Sequence, residues 1–276
     1  MADRTGDHAR PSCLVLHGLG GGPYELAPLI DALGVAGLRV AAPVLPGHDG
    51  PGPTMPGSTW REWSASAALA FDALAAEGGP VAVVGFSTGA TLALELASRR
   101  PAAALVLLAP FLAIRHARLI PLRPSAYLGL IGRWMPDLPR RPPAVADRQI
   151  RRGLASASRF RTFSLAAGLS ALELIERVKP LVPAIRAPTL ILQGGRDSVV
   201  DPIGAAWLLG HLGSARKELI RFPGSDHLLA LDSEGARVIE AALAFLLGPG
   251  DRGGEIGQVP PSGGAPGPCD APELSV

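Results

Sequence analysis

Ser87 stands between Gly85 and Gly89 in the stretch VAVVGFSTGATLALELASRR, a G-x-S-x-G spacing. An apolar run leads into it and a helical pattern starts at Thr88. In that context a sharp strand-to-helix turn lifts the serine hydroxyl clear of the sheet and presents it as a nucleophile. A serine at the same place could also do no more than cap the helix. A base for the hydroxyl, and an acid to orient that base, favour the nucleophile. Of the six histidines, His227 lies in FPGSDHLLALD, after the last β-leaning run and before the last helix. It is the base candidate. His48, in PGHDG, is the alternative, and His17 is expected to brace the turn that follows it. Asp197 comes directly after TLILQGGR and is the acid candidate. Asp201, in the same loop, precedes Pro202 and the helical pattern IGAAWLLGHL, so its carboxylate is expected to cap that helix.

A serine attacking a carbonyl also needs two N–H groups for the developing oxyanion. The amide of Thr88, directly after the nucleophile, is one candidate. Leu19, in His17-Gly18-Leu19-Gly20-Gly21-Gly22, is the other, because its glycine neighbours let the backbone approach a ligand. The same two residues are the substrate-contacting candidates. This glycine-rich loop could also read as a dinucleotide fingerprint. That reading fails because Pro23 occupies the third glycine's place and the second run ends in LPGH, without an acid for a ribose. No organic cofactor or metal is implied.

The elements that must position these groups are short apolar runs: 13–18, 39–45, 81–87, 104–110, 189–195 and 218–224. They lack polar alternation, as strands buried on both faces do. Helical patterns at Tyr24–Val35, Thr59–Ala76, Thr88–Ser98 and Glu234–Leu247 lie between or after them. Alternating strands and helices predict an α/β fold, a mostly parallel sheet of about six strands covered on both faces. Ser87, Asp197 and His227 all follow strands, so they should meet at the carboxyl edge of that sheet.

Between Pro110 and Pro188 no convincing strand is legible. Helix-like segments at Ala126–Trp134, Ala144–Ala155 and Ser164–Val178 are separated by prolines. This region carries 13 Arg or Lys against 4 Asp or Glu from Phe111 to Ile185, so it differs from its surroundings. The expected organisation is a polar, disordered start at 1–11, a core from 12–110 and 186–247, and a helical insertion at 111–185. A Gly/Pro-rich tail at 248–276 is too poor in apolar residues to fold. The formal net charge of +2 gives no nucleic-acid signal. Two cysteines, Cys13 and Cys269, do not make a disulfide framework. No apolar run reaches the roughly 18 residues of a spanning helix, and the start lacks a signal-peptide core. The expectation is a cytoplasmic protein without stable membrane insertion. Oligomeric state is not legible.

The stretches LVLHGLGGGPYELAPLIDALGVAGLRVAAPVLPGH, GFSTGA, LILQGGRDSVVDP and GSDHLLALDSE, with the Trp60–Trp63 helix, resemble the bacterial carboxylesterase and monoacylglycerol-lipase branch of the α/β-hydrolase fold. The resemblance spans about Cys13 to Leu247 and is weakest in the insertion. It implies a triad of Ser87, Asp197 and His227, oxyanion donors at Leu19 and Thr88, and an insertion that forms a small helical cap over an acyl pocket. There Leu119, Ile120, Leu128, Leu130, Ile131, Trp134, Leu165, Leu169 and Leu172 could either line the pocket or merely pack the cap. The loop usually written PGHG is PGHDG here, which puts Asp49 near the cleft rim. The implied activity is serine hydrolysis of carboxylic esters with short to medium acyl chains, acting on a small-molecule ester. A thioesterase, peptidase or acyltransferase could use the same triad, and a hydrolase-like fold used only for binding is the remaining alternative.

Overall fold

A computed structural model describes residues 11–49, 52, 54–113, 137–139, 143–157 and 160–248. The six apolar runs form one sheet from β1 (Ser12–Leu16), β2 (Arg39–Ala41), β4 (Val81–Phe86), β5 (Leu105–Leu108), β8 (Thr189–Gly194) and β9 (Lys217–Phe222). Their order is β2-β1-β4-β5-β8-β9, and every neighbouring pair is parallel. Because the sheet is covered on both faces, alternate residues of one strand feed two separate cores. Leu14, Leu16, Leu105, Leu107 and Ile191 join one. Cys13, Val15, Val106, Leu108, Leu190 and Leu192 join the other. Burial pushes the Cys13 thiol up to about 12, against the hydrogen bond from Val84 that lowers it, so this cysteine packs as a small apolar group.

Helices α1 (Ala27–Val35) and α7 (Gly235–Leu247) cover the face of the second core. On the other face lie α2 (Trp60–Ala76), α3 (Thr88–Ala97), α5 (Leu165–Val178) and α6 (Ile203–His211). The helix α2 starts where its sequence signals it. Thr59 and Glu62 form a reciprocal capping box, each side chain accepting from the other's amide. Trp63 is fully buried and donates from its indole to Pro46 O and Ser58 Oγ, tying α2 to the loop that carries His48.

The region between β5 and β8 departs from its sequence reading in two ways. It contains strands: β6 (Asp137–Pro139) and β7 (Thr162–Ser164) pair antiparallel, and β7 pairs parallel with β3 (Thr54–Met55). Strands of two or three residues, one flanked by prolines, show no periodicity, and only tertiary pairing reveals them. The helix expected over Ala144–Ala155 is α4, Arg148–Ala157. Its start is set by Asp147, whose carboxylate accepts from the amides of Gln149 and Ile150. The residues before it are held by another loop, as described below. The expected helix at 126–134, most of the proposed pocket lining (Leu119, Ile120, Leu128, Leu130, Ile131, Trp134), residues 1–10 and the tail from 249 onward lie outside the described residues.

No helix among the described residues is long and apolar enough to cross a membrane.

Candidate active site

Every strand that ends near Ser87 is parallel to its neighbours, so their following loops share one edge. The turn after β4 puts Ser87 at φ 54° and ψ −118°, a left-handed backbone that a non-glycine residue adopts at a cost. Its side chain makes no cap hydrogen bond to α3, which removes the simple capping reading. The flanking glycines are required sterically. A Cβ on Gly85 would lie 2.5 Å from Gly89 O, and one on Gly89 would lie 2.2 Å from Leu16 O. The elbow is thus pressed against the end of β1.

Ser87 Oγ lies 3.0 Å from His227 Nε2, and His227 Nδ1 lies 3.0 Å from Asp197 Oδ2. All three side chains are buried, Asp197 completely. Residues separated by up to 140 positions are therefore joined in one hydrogen-bonded row. Two further glycines allow it. A Cβ on Gly194 would lie 2.3 Å from Asp226 O, and one on Gly195 would lie 2.8 Å from Pro223 Cα, so the turn after β8 and the His227 loop pack backbone to backbone.

The Asp197 carboxylate is fully engaged. Oδ2 also accepts from Gln193 Nε2 at 2.9 Å, and Oδ1 accepts from the amides of Val199 and Val200. Asp197 therefore has a local duty in its own turn besides its bond to the histidine. Burial acts to raise its pKa, but the His227 charge and hydrogen bond and the two amides outweigh it and hold the carboxyl below its usual range. Asp201 accepts from the Ile203 amide at 3.0 Å, at the start of α6, as its helix-start assignment requires.

Neither of the other two histidines of the sequence argument reaches Ser87. His48 Nε2 accepts from the Gly20 amide at 3.0 Å, and its Nδ1 faces the carbonyls of Leu45 and Pro46. His17 Nε2 accepts from the Leu45 amide, and its Nδ1 donates to Gly18 O. The two rings meet edge to face, 4.8 Å between centroids. Burial first, then the neighbouring His48, lower the His17 pKa to about 3, against the raising effect of the Gly18 bond, so His17 is neutral. Together they brace the loop that carries Leu19. A Cβ on Gly18 would lie 3.2 Å from Ser87 Cβ, so this loop passes directly over the serine. Thr88 is buried and opens α3, with its amide at the helix N-terminus. Asp49 is exposed.

Sequence reasoning missed the groups behind the row. Gln193 is the one amide side chain in the mostly apolar strand TLILQG, a signal that was available. Asp226 and Asp232 flank His227 and are also buried. Asp226 Oδ1 accepts from the amides of Ser198 and His227, and Oδ2 accepts from Ser198 Oγ. Glu234 accepts from the Gly224 amide and from Ser225 Oγ. Among the described residues no group of three or more His, Cys, Asp or Glu is arranged to hold a metal ion.

A family model described as serine aminopeptidase, S33 (Hydrolase_4) matches residues 7–234. The chain is 26% identical over 235 residues to the thermostable monoacylglycerol lipase of Bacillus sp. (strain H-257), covering 84% of this chain and 88% of that protein. It is 31% identical over 241 residues to the pimeloyl-(acyl-carrier protein) methyl ester esterase of Aromatoleum aromaticum, covering 79% and 91%. The crystal structure of the Paleococcus ferrophilus monoacylglycerol lipase has the same fold, with a TM-score of 0.74 at 24% identity over 87% of this chain and 96% of that one. With six parallel strands and a family match across most of its length, the chain belongs to the serine aminopeptidase, S33 family, in the carboxylesterase and monoacylglycerol-lipase branch of the α/β-hydrolase fold.

Proposed function

We infer that this chain is a serine hydrolase that cleaves carboxylic esters of short to medium acyl chains through an acyl-enzyme at Ser87. One observation carries the reading: Ser87 is held in a strained backbone, does not cap its helix, and is bonded instead to a histidine that is bonded to a buried aspartate. In the proposed mechanism the Oγ–carbon bond forms as the hydroxyl proton passes to His227 Nε2. Asp197 holds Nδ1–H and stabilises the imidazolium. The amides of Leu19 and Thr88 bind the oxyanion, and the positive end of α3 favours the same charge. The bond from carbon to the alcohol oxygen then breaks, and Nε2 returns the proton to the departing alcohol. Water, deprotonated by the same nitrogen, releases the acid and restores Ser87.

The insertion at 111–185 would cover the acyl pocket, with Leu165 and Leu169 on its described side, while Leu172 packs against the core of the sheet face. The relatives named above act on a monoacylglycerol and on a methyl ester by their names, which supports an ester over a peptide bond. The test is a chain-length series of p-nitrophenyl esters beside monoacylglycerols, acyl-CoA and aminoacyl anilides. Esters should turn over fastest, a fluorophosphonate should label the protein once, and Ser87→Ala should abolish both turnover and labelling while the fold persists. Labelling that survives in Ser87→Ala would refute the nucleophile. Faster cleavage of aminoacyl anilides than of any ester would move the activity to peptide bonds.

A further inference from the structure

The loop of His227 is held by a carboxylate that also holds the insertion. Asp232 lies 5% exposed, five residues past His227. Its Oδ2 accepts from the amides of Asp226 and Ala146, both at 2.7 Å. Its Oδ1 accepts from the amides of Ser233 at 2.8 Å and Asp147 at 3.3 Å. Two of these four donors belong to the His227 loop and two to the segment just before α4. A third bond between the two segments runs the other way, from the Leu228 amide to Ala144 O at 3.0 Å. The Asp226 amide bound by Asp232 leads to a side chain bonded to the amides of His227 and Ser198, and Ser198 is next to Asp197. A continuous path of short bonds therefore connects the root of α4 to both the base and the acid of the row.

We propose that Asp232 is a positioning residue through which the docking of the inserted segment 143–147 sets the placement of His227 against Asp197 and Ser87. The physical reason is satisfiability. Four amide donors converge on one buried site, and only a carboxylate, with about four lone-pair positions and no proton, accepts them all. Burial acts to raise the Asp232 pKa, and the amides of Ala146, Asp226, Ser233 and Asp147 outweigh it. If the inserted segment leaves, two of the four bonds are lost and the remaining two no longer fix the loop. A placement error of about 1 Å at a catalytic group costs on the order of 10²-fold in rate, so the path controls turnover without touching substrate.

The proposal rests on the triad reading above, and its test separates the two. The Asp232→Asn variant is nearly isosteric but offers one acceptor oxygen and turns an amide NH2 toward donors. Well below its melting temperature it should lose about 10- to 100-fold in kcat on a p-nitrophenyl ester, with KM changed less than about threefold. The downfield His227 Nδ1 proton resonance, read by NMR, should shift or broaden in the same sample. An unshifted resonance and native kcat, with only a lower Tm, would show that Asp232 merely stabilises and would overturn the proposal. Should Asp232→Asn fail to fold, hydrogen exchange on the native chain carries the test. The amides of Ala146, Asp147, Asp226 and Ser233 should open as one unit with one free energy. Exchange at Ala146 and Asp147 that is orders of magnitude faster than at Asp226 and Ser233 would overturn it. The resonance and the exchange rates are read whether or not an ester turns over, so a failed activity and a failed coupling give different results.

Discussion

Replacing Asp197 by Asn separates its two duties. Oδ1 of the asparagine still accepts from Val199 and Val200, so the NH2 must take the place of Oδ2, opposite His227 Nδ1 and Gln193 Nε2. An NH2 donor there forces Nδ1 to act as acceptor. The ring proton then sits on Nε2, which can no longer accept from Ser87 Oγ at 3.0 Å. The expected loss in kcat is about 10⁴-fold, roughly 5.5 kcal/mol of transition-state stabilisation. Stability should fall only modestly, because Gln193 Oε1 is buried without a partner among the described residues. Turning the Gln193 amide over puts that oxygen against the new NH2, and the cost is the 3.3 Å bond to Gly194 O and an amide NH2 left without an acceptor, about 1–3 kcal/mol. Asp197→Ala has no such remedy. The amides of Val199 and Val200 and the Gln193 donor all lose their acceptor, at about 1–3 kcal/mol each where no water replaces it. Steady-state turnover of a p-nitrophenyl ester and urea unfolding of both variants give the two quantities. The reasoning is refuted if Asp197→Asn keeps more than about a hundredth of native kcat, or if it is as unstable as Asp197→Ala. Inactivation by Asp201→Asn with turnover kept in Asp197→Asn would move the acid itself to Asp201. The expected effect of Asp201→Ala is only a loss of about 0.5–2 kcal/mol of stability.

Gly89→Ala should destabilise by about 1–3 kcal/mol or more, since the added methyl meets Leu16 O and His17 O, which are backbone atoms. It should also lower kcat in the folded fraction, because the displaced chain carries the Leu19 loop; full activity at native stability would contradict the close approach. The pH dependence follows from His17. Its folded pKa of about 3 is below the ordinary 6.5, so the unfolded chain binds a proton first. The stabilisation is complete above about pH 6.5 and is lost as pH falls toward 3, by up to about 1.4 kcal/mol per pH unit. Denaturant unfolding between pH 7 and about 4 should show this slope, and His17→Gln should flatten it. An equal slope in the variant would assign the acid sensitivity elsewhere.

The chain order of chemistry and scaffold was legible because it depends on local rules. Unalternated apolar runs mark doubly covered strands, and six of them appear as the six strands of the sheet. A serine between glycines at a strand-to-helix turn marks the elbow, and its φ of 54° shows why small neighbours are needed there. The helical pattern over Thr59–Ala76 marks α2, and the capping box of Thr59 and Glu62 that starts it is equally local. Each of these signals is contained in a window of a few residues.

What tertiary structure alone decided depends on which loops face each other. The sequence offered His48 and His227 as rival bases, and only the sheet order, with β9 beside β8, brings His227 to Asp197 while His48 turns behind the Leu19 loop. The paired strands at 54–55, 137–139 and 162–164 are too short for any pattern and exist because distant segments satisfy one another's backbone groups. The duties of Gln193, Asp226 and Asp232 are hidden for the same reason. An aspartate in a loop looks solvated until the fold removes the water, and then its oxygens must find amides, here from segments up to 86 residues away.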